Sequence, residues 1–277
     1  ADINNDGLLD IFTLDMLPED NFRQKQLLSP DNFEMYQLNL ERGFYHQTMR
    51  NMLHLNAGDG TFQEIGQLAG ISNTDWSWSA LFADLDLDGW KDLYITNGYL
   101  RDYNNQDFLK YMDDYVQTKG GQLKREDLLA LVKSMSSSNL KNYTYRNTQG
   151  IQFENVSDAW GLGQNANSNG AAYSDLDNDG DLDLVINNLD QEAFIYQNQT
   201  EKSGNTFLRI DLKSDGKNPF GIGAQVILFS GKDQWSQRIS TSRGFQSGPA
   251  ATLVFGLGKT TSIDSIQVNW PDGKSEY

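Results

Sequence analysis

Three stretches of the chain share one spacing of oxygen-bearing side chains around a glycine: Asp2, Asn4, Asp6, Gly7, Asp10; Asp84, Asp86, Asp88, Gly89, Asp92; and Asp175, Asp177, Asp179, Gly180, Asp183. Like charges at this density repel one another, so each loop calls for a cation. Oxygens at positions one, three and five can curl round one ion. The glycine at position six permits the tight turn, and position seven offers its carbonyl. The expected ligand sets are therefore Asp2, Asn4, Asp6, Leu8 and Asp10, then Asp84, Asp86, Asp88, Trp90 and Asp92, then Asp175, Asp177, Asp179, Asp181 and Asp183. An all-oxygen set suits a hard cation. Calcium fits before magnesium, because it accepts several oxygens in a flexible shell whereas magnesium demands near-ideal octahedral geometry. Up to three Ca2+ ions are expected.

An EF-hand loop begins identically, but it needs a bidentate Glu at position twelve and a helix on each side. Position twelve here is Thr13, Ile95 or Ile186, and the following residues "DIFTLD", "DLYITN" and "DLVINN" read as short strands. The upstream flanks "WSALFADLD" and "GAAYSDLD" also read as strands. Each loop should therefore join two strands and be closed by the aspartate at position nine, which argues against both the EF-hand and the dockerin module.

A second element also repeats. "NMLHLNAGDGTFQEIGQLAGI" (51–71) matches "NYTYRNTQGIQFENVSDAWGL" (142–162), and "EAFIYQNQT" begins it a third time. The unit is strand, ion loop, strand, variable connection, strand, glycine turn, strand. Four short strands per unit is the pattern of a propeller blade.

On these residues the chain resembles FG-GAP/VCBS repeats, the calcium-binding blades of integrin-α-like β-propellers. The tail motifs "NPFGIGAQVILFSG" (218–231), "RGFQSG" (243–248), "LVFGLG" (253–258) and "IQVNWPDGKSEY" (266–277) together resemble the ASPIC/UnbV domain that follows such propellers in cartilage acidic protein-like proteins. The resemblance implies a mainly β fold: calcium-binding propeller blades, a partial propeller within these residues, with helical insertions and a small all-β C-terminal domain. The expected division is 1–204 for the blades and 205–277 for the C-terminal domain. It also implies surface exposure in bacteria.

Two insertions, near 17–50 and 101–141, interrupt the blades. In the first, Ser29 is placed to cap a helix with Pro30 at its first position, and Phe33, Tyr36, Leu40 and Phe44 fall on one helical stripe. In the second, "NQDFLKYMDDYVQ" and "KREDLLALVKSM" are helical in spacing and are split by Gly120-Gly121. Their apolar faces are expected to pack on the blades; the alternative is a platform for a ligand or partner, since loops on a rigid scaffold commonly carry function.

The formal charge of −16 and isoelectric point near 4.4 exclude a phosphate-binding basic face, hence nucleic acid. Three bound Ca2+ ions would reduce that charge to −10. The chain contains no cysteine, so the disulfide test of compartment is silent. No apolar run reaches the length of a transmembrane segment and no signal peptide is present; both ends look cut from a longer protein.

Catalysis has little support. His46 and His54 stand in no triad or metal-ligand spacing. Most clustered acids serve the ion loops, and the remaining Asp75, Asp102, Asp107 and Asp190 are expected on the solvated surface. Trp76 and Trp78, two apart in "NTDWSWSA", would point to one side of a strand, as packing residues or as a sugar-stacking pair. Trp90 needs only its carbonyl at the loop, which leaves its ring to cover a rim or an insertion.

The expected function is a non-catalytic, calcium-binding, extracytoplasmic binding or adhesion module, cell-surface (outer membrane-associated) or secreted, recognising a glycan or protein ligand at the insertion-bearing rim. The alternative is a glycan-degrading enzyme, or an accessory subunit of a polysaccharide-utilisation system.

Overall fold

The computed structural model describes residues 1–28, 32–214 and 216–277, and the main chain but not the side chain of Glu201. Its elements in chain order begin with β1 (Ile11–Thr13), α1 (Asn21–Leu27), α2 (Phe33–Glu41), β2 (Met52–Asn56) and β3 (Phe62–Glu64). Next come β4 (Ser77–Ala83), β5 (Asp92–Asn97), α3 (Gln106–Thr118), α4 (Arg125–Ser134), β6 (Leu140–Lys141), β7 (Tyr143–Thr148) and β8 (Gln152–Asn155). A third unit holds β9 (Asn165–Ala166), β10 (Ser168–Ser174), β11 (Asp183–Asn188) and β12 (Phe194–Tyr196). The C-terminal strands are β13 (Thr206–Asp211), β14 (Gln225–Ser230), β15 (Asp233–Arg238), β16 (Thr252–Gly258), β17 (Ser265–Asn269) and β18 (Ser275–Glu276).

The fold is mainly β, as the sequence pattern implies. Three antiparallel meanders, β1-β2-β3, β4-β5-β7-β8 and β10-β11-β12, form successive blades. The middle blade has all four strands, and its β5 is buried along its whole length. The pleat explains this, because alternate residues serve opposite faces. Leu93 and Ile95 enter an apolar cluster with Leu53, Ile71 and Tyr145, between the first and second blades. Tyr94 enters a cluster with Ala171, Leu184 and Ile186, between the second and third. The core thus lies between the sheets, and the blades are held face to face.

Repetition extends to irregularities. β4–β5 slips register between Ser77 and Ala80, and β10–β11 slips between Ser168 and Ala171. At each slip a serine hydroxyl meets an asparagine carbonyl on the partner strand, Ser77 with Asn97 and Ser168 with Asn188, both at 2.7 Å. The C-terminal strands form a two-stranded ribbon, β13-β16, and a sheet ordered β15-β14-β17-β18. These enclose Val226, Leu228, Leu253 and Phe255.

The second insertion folds as its spacing predicts: α3 and α4 flank Gly120 and Gly121, both in the left-handed region (φ +65° and +78°), and bury Phe108 and Leu131. The first differs. Its α2 starts at Phe33 with the Asn32 side chain accepting from the Met35 amide, and it buries no residue. Ser29 and Pro30 lie outside the described residues. Phe33 and Phe44 are 72% and 57% exposed, so this stripe does not pack on the blades; nine helical residues with few apolar partners gain too little from burial to be held flat. Helix α1, by contrast, docks against α3.

Candidate metal centre

The second and third acidic loops connect β4 to β5 and β10 to β11, the first runs into β1, and the three loops follow one backbone path. Position four is left-handed in all (Asn5 φ 56°, Leu87 φ 57°, Asn178 φ 65°), as is the glycine at position six (Gly7 φ 86°, Gly89 φ 99°, Gly180 φ 99°). The amide of position five donates to the side-chain oxygen of position three at 3.3, 3.2 and 3.3 Å in turn. That of position seven donates to position five at 2.8, 3.0 and 3.2 Å. These bonds fix the side chains of positions three and five against the turn. In Asp84, Asp86 and Asp88, and again in Asp175, Asp177 and Asp179, one carboxylate oxygen from each residue lies within 4.8 Å of the others, so each cluster could hold a metal ion.

The electrostatics favour a cation. Burial, then the charges of Asp88 and Asp86, push the Asp84 carboxyl well above the usual range, and burial followed by Asp86 and Asp84 does the same to Asp92. Asp86 is pushed up to about 6 by burial and by Asp88. Asp2 is raised by burial. At position one of the first and third loops, Oδ1 of Asp2 and of Asp175 is buried with no hydrogen-bond partner among the described residues. Buried carboxylate oxygens without partners are costly, and a divalent cation would satisfy them; the residues fit the ion.

Position nine has a further role that its spacing did not reveal. One oxygen of Asp10, Asp92 and Asp183 accepts from the amide of position two (Ile3, Leu85, Leu176) at 2.9, 2.9 and 2.8 Å. The other accepts from the amide of an asparagine in or just after the third strand (Asn56, Asn147, Asn198) at 3.0, 2.9 and 2.8 Å. Each of these asparagines donates through Nδ2 to the carbonyl at position eight of its own loop, Leu9, Lys91 or Leu182. Asn147 and Asn198 reach further, to the position-two carbonyl of the preceding blade, Ile3 and Leu85. Loop, third strand and neighbouring blade are thereby stapled together. The signal was present as the shared spacing N-x-x-x-x-N in "NMLHLN" and "NYTYRN": the first asparagine, Asn51 or Asn142, accepts from the amide of Asp15 or Asn97.

Two leftover acids are not on the surface. Asp75 and Asp102 are 5% and 2% exposed, and the Arg23 guanidinium of α1 lies between them, with Ser136 and Ser138 donating to Asp102. They tie the two insertions to the second blade, because a buried carboxylate must be paired. Asp107 and Asp190 are exposed, as expected. Trp78 lies against Phe245, whereas Trp76 sits against Tyr99 and Tyr103 at centroid distances of 4.3 and 5.6 Å, so the two tryptophans have separate neighbours. The ring of Trp90 lies beside the turn at Gly150, where a Cβ would be 3.2 Å from its Cζ3.

Residues 44–95 match the FG-GAP-like repeat and residues 214–277 match the ASPIC and UnbV family. The chain carries FG-GAP-like and ASPIC/UnbV sequence. It is 26% identical over 263 residues to cartilage acidic protein 1 of Xenopus tropicalis, covering 81% of this chain and 38% of that one. To the Homo sapiens protein of the same name it is 25% identical over 262 residues, covering 81% and 37%. The chain therefore spans less than two-fifths of these relatives. None of these descriptions names a reaction.

The ASPIC/UnbV residues and the strand before them approach all three loops. Gln234 donates to the Asn5 carbonyl of the first at 3.1 Å. In the second, the amide of Gly258 donates to the Leu87 carbonyl at 2.9 Å, and Gly256 lies so close that a Cβ there would overlap Asp84 Oδ2. The third is reached by β13: Phe207 covers Gly180, and Arg209 Nη1 lies 3.2 Å from Asp175 Oδ2 and 2.9 Å from Asn178 Oδ1. This explains the glycines of "LVFGLG", which permit that approach. The "RGFQSG" segment enters beside β4, the Phe245 amide donating to Ser79 Oγ at 3.2 Å. Among the described residues, no helix is long and apolar enough to cross a membrane.

Proposed function

We propose that the chain is part of a calcium-braced, extracytoplasmic binding or adhesion module, either displayed at the cell surface or secreted. Residues 1–204 supply the blades and 205–277 the C-terminal β domain. The carrying observation is that three loops share one backbone path and one set of turn hydrogen bonds, including the loop in which Asn4 replaces an aspartate, and that in the second and third loops the carboxylate oxygens converge. In this reading side-chain oxygens at positions one, three, five and nine, with the carbonyls of Leu8, Trp90 and Asp181, hold Ca2+. The ion neutralises each acidic loop and fixes the strand pair beside it, so metal binding is coupled to folding. Short-loop sites in extracellular modules have dissociation constants of about 10⁻⁴ to 10⁻³ M, which suits the calcium level outside the cytoplasm.

A glycan or protein ligand would dock on the insertion-bearing rim, where Phe22, Phe33 and Tyr45 are 73%, 72% and 85% exposed. The deciding experiment is a thermal melt in calcium and in chelator. A rise in Tm with calcium, absent with magnesium at equal concentration, supports the proposal. Identical melting in both media would sink it.

A further inference from the structure

Where the inner strands of the blades run into the ion loops, a pocket of about 310 Å3 is bounded by Phe82 and Asp84, by Tyr173 and Asp175, by Asp2, and on the far side by the C-terminal strands. Its wall carries Lys91, Arg209, Arg238 and Arg243. In a chain of formal charge −16, four cations at one pocket are a local inversion. Arg209 is paired with Asp175 and Asp211; among the described residues, Lys91, Arg238 and Arg243 form no ion pair. Lys91 is 9% exposed and its ammonium donates only to oxygens without formal charge, the Asp2 carbonyl at 2.7 Å and Asn5 Oδ1 at 3.5 Å. Arg243 donates to the Arg238 carbonyl at 2.7 Å, and among the described residues the Arg238 side chain has no hydrogen-bond partner. In the metal-free protein the nearby carboxylates of Asp2, Asp84 and Asp10 supply the counter-charge of this buried ammonium; once those carboxylates are committed to a bound cation, an anion would have to supply it.

The pocket's own acids are the first-position aspartates Asp2, Asp84 and Asp175, each committed to an ion loop. With a divalent ion in each loop these carboxylates are neutralised, and the charge left facing the pocket is positive. We infer that the calcium-loaded protein binds a small, sugar-sized molecule bearing a carboxylate or sulfate, its oxyanion held by Lys91, Arg238 and Arg243 and its body lying against Phe82 and Tyr173. The volume sits at the lower end for ligand pockets, which fits a compact molecule and not a polymer segment. Guanidinium groups suit planar or tetrahedral oxyanions through paired donors. The inference rests on the calcium reading, since metal-free aspartates would offset the cations.

The test is calorimetric titration of sodium sulfate, sodium glucuronate and neutral glucose into the protein in calcium, with occupancy of the loops measured separately by calcium titration. Saturable binding of sulfate or glucuronate but not glucose is expected, lost in chelator and weakened about tenfold by Arg238→Ala. That side chain is exposed and unbonded, so its removal leaves the fold intact; Arg243→Lys provides a charge-conserving second variant, expected to weaken binding because the paired donors are lost while the charge is kept. Whichever of sulfate and glucuronate binds more tightly identifies the oxyanion. No binding of either anion to protein with filled calcium sites overturns this inference and leaves the calcium reading standing. So does anion binding that Arg238→Ala does not change, or glucose binding as tight as glucuronate. Failure to bind calcium overturns the calcium reading itself and removes the premise here.

Discussion

Asn147 Nδ2 donates to the carbonyl of Ile3 at 3.0 Å, joining residues 144 apart in the chain and linking the second blade to the ion loop of the first. The same amide group bonds the Lys91 carbonyl at 3.1 Å, and its Oδ1 accepts from Gly150 at 2.7 Å. One buried side chain thus fixes an ion loop, a glycine turn and a blade contact.

Asn147→Ala leaves three backbone groups without partners at a buried site and is expected to cost about 2–3 kcal/mol in urea unfolding. The equivalent Asn56→Ala should cost about 1 kcal/mol or less, because Asn56 bonds the Leu9 carbonyl in a solvent-exposed setting. Equal losses would show that the blade-to-blade bond contributes nothing.

Gly256→Ala drives a methyl group into Asp84 and Leu87 and should push β16 off the second loop. Overpacking of this kind costs about 1–3 kcal/mol. Calcium affinity should fall in parallel, because Asp84 moves. A variant with lowered Tm and unchanged calcium affinity would separate the C-terminal strand from the loop.

How much of this was legible in sequence depends on the range of each interaction. The shared turn of the acidic loops could be read because their side-chain oxygens, glycine and following strand lie within nine residues of each other. The α3–α4 pair could be read from helical spacing and the glycines between. The staple asparagines could be seen only as a shared spacing, since their partners lie on another blade. Asp75 and Asp102 were misread as surface acids, because the arginine that pairs them lies 52 and 79 residues away. The stripe on α2 was misread because periodicity reports an apolar face without reporting whether anything covers it.

Arg146 lies 2.8 Å from Asp86 and 3.0 Å from Asp88, where it competes with a cation for the same oxygens. Its side chain is 42% exposed, so the pair is worth only about 0.5–1 kcal/mol after screening. Arg146→Gln should therefore tighten calcium binding about two- to fivefold. Weaker binding would mean that Arg146 positions the carboxylates for the ion.

Proton competition has a definite sign. The carboxyls of Asp84, Asp86 and Asp92 are raised in the folded metal-free protein, Asp86 to about 6, so the folded state takes up protons before the unfolded chain does. As pH falls from 7 through 6 towards 4.5, these groups should stabilise the metal-free protein, while calcium affinity at the second loop declines because the ion requires the ionised form. Melts in chelator and calcium titrations across this range check both trends. Calcium affinity that stays constant from pH 7 to 5 would contradict the second.

The central claim, that the three acidic loops are calcium sites, is tested most directly by calorimetric titration of calcium into chelator-stripped protein, beside Asp88→Ala and Asp179→Ala. Saturable binding close to three ions per chain, with each variant losing about one, is the predicted result. Absence of binding, or variants that bind as many ions as the parent, would contradict it.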